Sequence, residues 1–270
     1  MRLAGYQPQY FPRLHYFNRI LNSDVFEISD YVQFVRKHAF PQPDGTMKRG
    51  KSFQAHTVIK NDQGPLFLAI PTHDELLPIN KTKIDYSQNW ANKHLKSIEV
   101  GYRKALNFSK LFPEIEEILN QQYLNLGDLT VATVFWGIIR LLTDEKIAMS
   151  DVSPEFIGTL LKKNKNPFLL KKIFLASESP LPPPKKGEAN DWIIALCKHA
   201  GADEYYYGGT SHSAYMDIDK LEKSKIKGVV QNWQAPSYRQ QYMKVGFLPN
   251  LSVIDLVMNE NLATRQELMI

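Results

Sequence analysis

Apolar residues recur along the chain with two different periods, and the changes of period mark its elements. Residues 3–6 are short, apolar and β-prone, as a strand requires. The stretch Gln7-Pro8-Gln9-Tyr10-Phe11-Pro12 follows, and its two prolines forbid regular helix. Leu14, Phe17, Ile20 and Leu21 then return at helical spacing, which predicts a helix over residues 13–22. Val25-Phe26-Glu27-Ile28 reads as a second strand. A strand–loop–helix–strand unit closes by a right-handed crossover, so its two strands are expected to run parallel.

Residues 36–51 are basic and rich in turn formers, with Pro41, Pro43, Asp44-Gly45 and Gly50, and predict a mobile loop or a hairpin. Residues 53–59 and 65–70 flank Asn61-Asp62-Gln63-Gly64 and predict an antiparallel hairpin. Residues 90–148 have mainly helical spacing. Ile98, Tyr102 and Leu106 share one face, and Phe112, Ile115, Ile118, Leu119 and Tyr123 share another. Residues 131–142 are apolar on most sides, as in a buried helix. Residues 150–188 show little periodicity and end in a stiff basic run from Ser179 through three prolines to Gly187, which reads as a linker.

The alternating pattern then resumes. It predicts a helix over 191–200, a strand over 204–207, a turn at Gly208-Gly209-Thr210, a helix over 219–224, a strand over 228–233 and a terminal helix over 253–258. Alternation at both ends around a helical block predicts an α/β fold. We expect one domain over residues 1–270, a mainly parallel sheet with helices on both faces, and a helical insertion or lobe at roughly 90–175.

Composition narrows the class. With 43% hydrophobic and 23% charged residues in 270, the chain can bury a sizeable core and is not of disordered type. No apolar run reaches the roughly 18 residues of a membrane span, and no secretory h-region opens the sequence. The single cysteine, Cys197, sits in an apolar run and reads as a buried thiol. These features predict a cytoplasmic protein without stable membrane insertion. The net charge of +5 permits an anionic ligand such as a nucleotide-sugar or a tRNA and selects neither.

In open α/β sheets, ligands collect outside the carboxyl ends of the strands. The loop after the first strand has no Gly-x-Gly and its prolines remove donors, so Gln7 and Tyr10 are expected to act through their side chains on a sugar or base. Gly208, Gly209 and Ser211 form the second expected wall, with His212 as the histidine placed for acid–base work. Asp30, Gln33, Arg36 and Lys37 follow the second strand, and the basic pair could hold a phosphate or carboxylate. Trp90 and His94 stand four residues apart and read as a packed pair. No His-Glu-x-x-His, Cys-x-x-Cys, Gly-x-Ser-x-Gly or phosphate-binding Walker loop occurs, so no metal or other cofactor is expected.

Ordered signatures run the length of the chain: Gln7-Pro8-Gln9-Tyr10-Phe11-Pro12, Tyr16-Phe17-Asn18-Arg19-Ile20, Ser23-Asp24-Val25-Phe26 and Val32-Gln33-Phe34. Trp90 with His94, Tyr102, Gly201-Ala202-Asp203-Glu204-Tyr205, Gly208-Gly209 with Tyr215, Pro236-Ser237-Tyr238 and the run from Phe247 to Leu256 complete the set. In this order they resemble the WbqC-like family. The resemblance implies a bacterial O-antigen or related glycan pathway, and transfer of a glycyl or similar acyl group to an amino sugar. It adds Tyr215 and Tyr238 to the substrate-binding set. Two positions depart from the family pattern: Tyr6 stands where a histidine precedes Gln-Pro, and Ala189-Asn190 where a Lys-Thr pair precedes the cysteine.

Three functions follow as expectations. In a transferase, a small-molecule substrate such as a nucleotide-linked amino sugar lies between the two loops, its amine attacks an activated acyl donor, and Tyr6, His212 or Asp30 manages the proton. The alternatives are a carrier that binds such a ligand without turnover, and a transferase that draws on charged tRNA. The oligomeric state is left open by the sequence.

Overall fold

The computed structural model describes residues 1–41, 47–73, 76–163, 165–185, 187–209 and 215–270, with the side chains of 38–41, 47–49 and 51 outside that description. Five parallel strands form the central sheet: β1 (Arg2–Tyr6), β2 (Val25–Ile28), β7 (Lys172–Leu175), β8 (Glu204–Gly208) and β9 (Lys227–Gln231), in the order β7-β2-β1-β8-β9. Two antiparallel hairpins stand apart from it, β3 (Lys37–Pro41) with β4 (Met47–Lys51) and β5 (His56–Asn61) with β6 (Gly64–Ala69). The first confirms that residues 36–51 contain a hairpin.

The strand alternation sorts side chains onto two faces. Leu3, Val25, Tyr205 and Tyr207 pack against Ile193, Leu196 and Cys197 of α6 (Ala189–Ala200) and Leu221 of α7 (Ile218–Lys223). Ala4, Phe26, Ile28 and Tyr206 face the other way, onto Leu14, Phe17 and Leu21 of α1 (Leu14–Leu21). That second core continues without a break into α2 (Trp90–Tyr102), α3 (Phe108–Asn120), α4 (Leu126–Leu142), α5 (Pro154–Lys163), α8 (Val253–Asn259) and α9 (Leu262–Glu267). The helical block therefore shares its interior with the sheet. Its central helix α4 is buried on most sides, as the apolar run predicts, and Asn125 caps it by accepting from the Asp128 amide at 2.9 Å.

Two elements escape the sequence pattern. β7 is an edge strand whose apolar core is three residues long and preceded by Lys171-Lys172, the charged blunting that protects sheet edges. α9 follows α8 after a two-residue break, with Asn261 accepting from the Thr264 amide at 3.0 Å. The expected face-sharing also fails at Leu106, which lies beyond the end of α2 and is exposed.

The proline-bracketed loop after β1 is built into the core. Phe11 adopts φ 38°, the left-handed region that a bulky residue rarely takes. Its carbonyl accepts from the hydroxyls of Thr57 at 2.6 Å and Ser252 at 3.0 Å, and its N–H donates to Thr133 Oγ1 at 3.0 Å. Its ring packs edge-on against Trp136. Three distant elements thus over-determine one backbone conformation. Thr133→Val strands the buried Phe11 N–H, and is expected to destabilise the protein by about 1–3 kcal/mol in chemical denaturation. A loss under about 0.5 kcal/mol would show that this bond does not hold the loop.

Candidate functional site

β1 feeds α1 on one face of the sheet, whereas β8 leads toward α7 on the other. The direction of winding reverses between these adjacent strands, and such a reversal opens a crevice at their carboxyl ends. Tyr6 ends β1 there, Gly208 ends β8, Gln231 ends β9, and Glu27 lies one residue before the end of β2.

Arg19 reaches this edge from α1. Its side chain is almost fully enclosed, with the residue 4% exposed. Nε and one terminal nitrogen donate to Gln231 Oε1 at 3.0 and 2.8 Å, and the guanidinium lies 4.8 Å over the Tyr6 ring. The Gln231 amide is itself held by donation to the His15 carbonyl at 2.9 Å and Asn18 Oδ1 at 2.8 Å. A buried guanidinium normally faces a carboxylate; Arg19 has neutral partners among the described residues. Burial, then the nearby Arg19 charge, pushes His15 down to about 4, so the imidazole stays neutral. This corner of the molecule is positive and short of anions.

The Gly208 glycine has a specific cause. A Cβ built there would stand 2.2 Å from an Arg19 terminal nitrogen. Its missing side chain makes room for the guanidinium, a different service from the backbone approach of a ligand that the Gly-Gly pair suggests in sequence.

Glu27 is 0% exposed within a strand covered on both faces. Its register partner on β1 is Gly5, where a Cβ would lie 2.5 Å from Glu27 Oε2, so a glycine opposite makes space for the carboxyl. The Ser29 hydroxyl donates to Oε2 at 2.8 Å, while Oε1 has no hydrogen-bond partner among the described residues. Desolvation holds the carboxyl well above the usual carboxylate range, with Ser29 opposing and Asp30 reinforcing. The Tyr16 hydroxyl is buried and likewise lacks a partner among the described residues. Its ring packs edge-on against Tyr6 at 5.4 Å, and its ionisation is pushed up by burial first, then by Tyr6 and Glu27, against a pull from Arg19. A cation with neutral partners and an orphan hydroxyl on the α1 face, and a buried carboxyl with one unbonded oxygen on the α6 face, lie near the carboxyl ends of these central strands and form the candidate site. Unpaired buried polar groups are costly, and functional sites are where they persist.

Of the residues marked out by sequence, Tyr6, Gly208 and Tyr215 belong to this crevice; burial, then Tyr6, raises the Tyr215 hydroxyl, with Arg19 opposing. Gln7 and Gly209 are half-buried beside it in the chain. Tyr10 is a correction. It is fully buried, bonded through its hydroxyl to His94 Nδ1 at 3.0 Å and packed on Trp90, so it supports the core instead of facing a ligand. Trp90 and His94 form the packed pair expected, with ring centres 5.3 Å apart. Asp30 is engaged by partners of its own: its carboxylate accepts from the Ser177 amide and hydroxyl and lines a small hollow with Asn80 and Asp128, while its charge still acts on Glu27. Gln33 is exposed in a bridge to Pro78. Arg36 and Lys37 line a different cavity, between the hairpins. Tyr238 donates to Asp255 at 2.7 Å, in a cluster with Tyr102. Ser211 and His212 lie outside the described residues.

Sequence reading passed over Arg19, Glu27 and Tyr16. A signal existed for Glu27, because a charged residue inside a short apolar strand of a parallel sheet is out of pattern. Nothing in the sequence links Arg19 to Gln231. Cys197 is fully buried in α6 and its thiol is pushed up to about 12 by desolvation, as expected of an inert thiol. Among the described residues, no group of three His, Cys, Asp or Glu could hold a metal ion, and no helix is long and apolar enough to cross a membrane.

A model of the WbqC-like protein family matches residues 7–267. No curated protein and no solved structure matches the chain.

Proposed function

The chain belongs to the WbqC-like protein family, and from that premise we propose that it is a transferase which acylates or aminoacylates the amine of a nucleotide-linked amino sugar in surface-polysaccharide synthesis. One observation carries the reading: a cation held by neutral partners and a buried carboxyl with one unbonded oxygen, held well above the usual carboxylate range by desolvation, both lie near the carboxyl ends of the central strands. The first suits a phosphate of the nucleotide, which a planar guanidinium binds well. The second suits a proton transfer, for which a carboxyl raised above its usual range is a fitting group.

In this reading the sugar amine attacks the carbonyl carbon of an activated acyl or aminoacyl donor. The N–C bond forms and the donor's leaving group departs with its bonding pair. Glu27 gives its proton to the leaving group and recovers one from the nitrogen, so it returns to its starting state. The Tyr16 hydroxyl orients the carboxyl or the sugar. Tyr6, which departs from the family histidine, stacks on Arg19 and fixes the anion site, leaving the proton to Glu27. Charge is thereby handled by side chains from α1 and β2, and most of the rate comes from holding the two reactants together.

The test is an incubation of the purified protein with nucleoside diphosphate amino sugars and activated acyl or glycyl donors, read as mass gain on the sugar. Wild type is expected to give the gain. Glu27→Gln is expected to bind the sugar within about twofold of wild type and to turn over at least about 100-fold more slowly. Because the protonated form acts, the wild-type rate should fall as pH rises through the raised Glu27 value. Saturable binding with no mass gain for any donor would sink the transfer and leave a carrier. Absence of binding would sink both.

A further inference from the structure

A second cavity, of about 470 Å³, lies between the two hairpins and away from the crevice. That volume falls within the range of small-molecule sites. Its wall is chemically divided. Phe34, Ala55 and Ile70 supply an apolar surface, Ser52 and Thr72 supply hydroxyls, and Arg36 and Lys37 supply two cations. No carboxylate lines it among the described residues.

Gln54, between the lining residues Ser52 and Ala55 in sequence, braces the wall from behind. Gln54 is 1% exposed, and its Oε1 accepts from the Val35 amide at 2.8 Å, between the lining residues Phe34 and Arg36. Its Nε2 is buried and has no hydrogen-bond partner among the described residues. A buried amide donor without an acceptor is costly unless something else supplies one. Two cations and two hydroxyls around an apolar wall describe one kind of guest.

We propose that this cavity binds a small organic anion, a carboxylate or phosphate monoester on a compact apolar body, whose charged end meets Arg36 and Lys37 and whose body lies on Phe34 and Ile70. The site is independent of the crevice and of the transfer assigned there.

The test is titration calorimetry on the whole protein with benzoate, phenyl phosphate, inorganic phosphate and neutral benzyl alcohol. At least one of the two aromatic anions is expected to bind saturably and at least about tenfold tighter than benzyl alcohol and inorganic phosphate, since both halves of the wall contribute. Benzoate alone would mark a carboxylate site, and phenyl phosphate alone a phosphate-ester site. The double variant Arg36→Met/Lys37→Met is expected to weaken binding at least about tenfold. Ala69→Phe, which fills the cavity without touching either cation, is expected to do the same, whereas Arg19→Met in the crevice leaves it unchanged. Equal binding by wild type and the double variant, or no saturable binding by either aromatic anion, overturns the proposal. Loss with Arg19→Met but not with the double variant would overturn it too, by moving the anion to the crevice.

Discussion

Gly208→Ala is expected to weaken binding of a nucleoside diphosphate sugar at least about tenfold. The change is the smallest one available, and in most strands it is close to neutral. Here the added carbon would sit 2.2 Å from an Arg19 terminal nitrogen and 3.1 Å from the guanidinium carbon. A long side chain can usually swing away from such a contact. Arg19 cannot do so freely, because both its bonds go to a Gln231 oxygen whose amide is fixed by His15 and Asn18. Moving it breaks charge-assisted bonds worth about 1.5–3 kcal/mol each and takes the cation off the Tyr6 ring. A loss of about 1.4 kcal/mol in the anion contact is already tenfold in affinity. Calorimetry checks the first part, and a cycle with Arg19→Met checks the cause: the double variant should bind no worse than Arg19→Met alone. Additive losses would show that Gly208 serves something other than Arg19.

Asp255→Ala is expected to destabilise the protein by about 2–4 kcal/mol, or roughly 4–16 °C in melting temperature. Asp255 is buried at the start of α8 and accepts from the Tyr102 hydroxyl at 2.8 Å and the Tyr238 hydroxyl at 2.7 Å. Lys60 stands nearby and donates to Gln240 at 3.2 Å. Truncation leaves two buried hydroxyls without their acceptor. The loss should also depend on pH. Desolvation raises Asp255 to about 6, against the bonds from Tyr238 and Tyr102 and the Lys60 charge. A group raised on folding stabilises fully below its unfolded value, near 4, and loses that contribution as pH rises through about 6. The alanine variant should therefore fall further below wild type at pH 5 than at pH 8, by about 1 kcal/mol. Denaturant titrations at the two pH values decide it. A gap that grows with pH would mean that the carboxylate, not the acid, is the stabilising form.

Much of the fold was legible because its periods are strong. The alternation in residues 3–6, 25–28 and 204–207 and the 3.6-residue stripe over 14–21 appear as β1, β2, β8 and α1 within a residue or two. β7 was hidden because three apolar residues beside two lysines carry too short a pattern to register. The site divides the same way. The crevice was foreseeable from chain order alone, since Tyr6 and Gly208 end adjacent parallel strands. Of the side chains that equip it, Tyr6 was marked out and Glu27 left a signal as a charge inside a short apolar strand, but their surroundings were not legible. Arg19 is enclosed by Gln231 from more than two hundred residues later, and Glu27 is accommodated by the absence of a carbon at Gly5. Such relations are set by packing across the sheet and leave no mark on local spacing. Tyr10 shows the converse error: an aromatic in a loop suggests a ligand, but the loop is pinned inside the core by Thr57, Thr133 and Ser252.

The central position of β1 bears on how the molecule assembles. One edge of β1 is satisfied by β2 from its immediate neighbourhood, but the other waits for β8, with Arg2 paired to Glu204. Contacts of such sequence separation have a large loop-closure cost, and high contact order slows folding. Until β8 docks, β1 presents an open strand edge, the kind of surface on which nascent chains pair with one another. The crevice, made where those two strands meet, is therefore among the last features to form, and any substitution that slows docking of β8 delays function and invites aggregation in the same step.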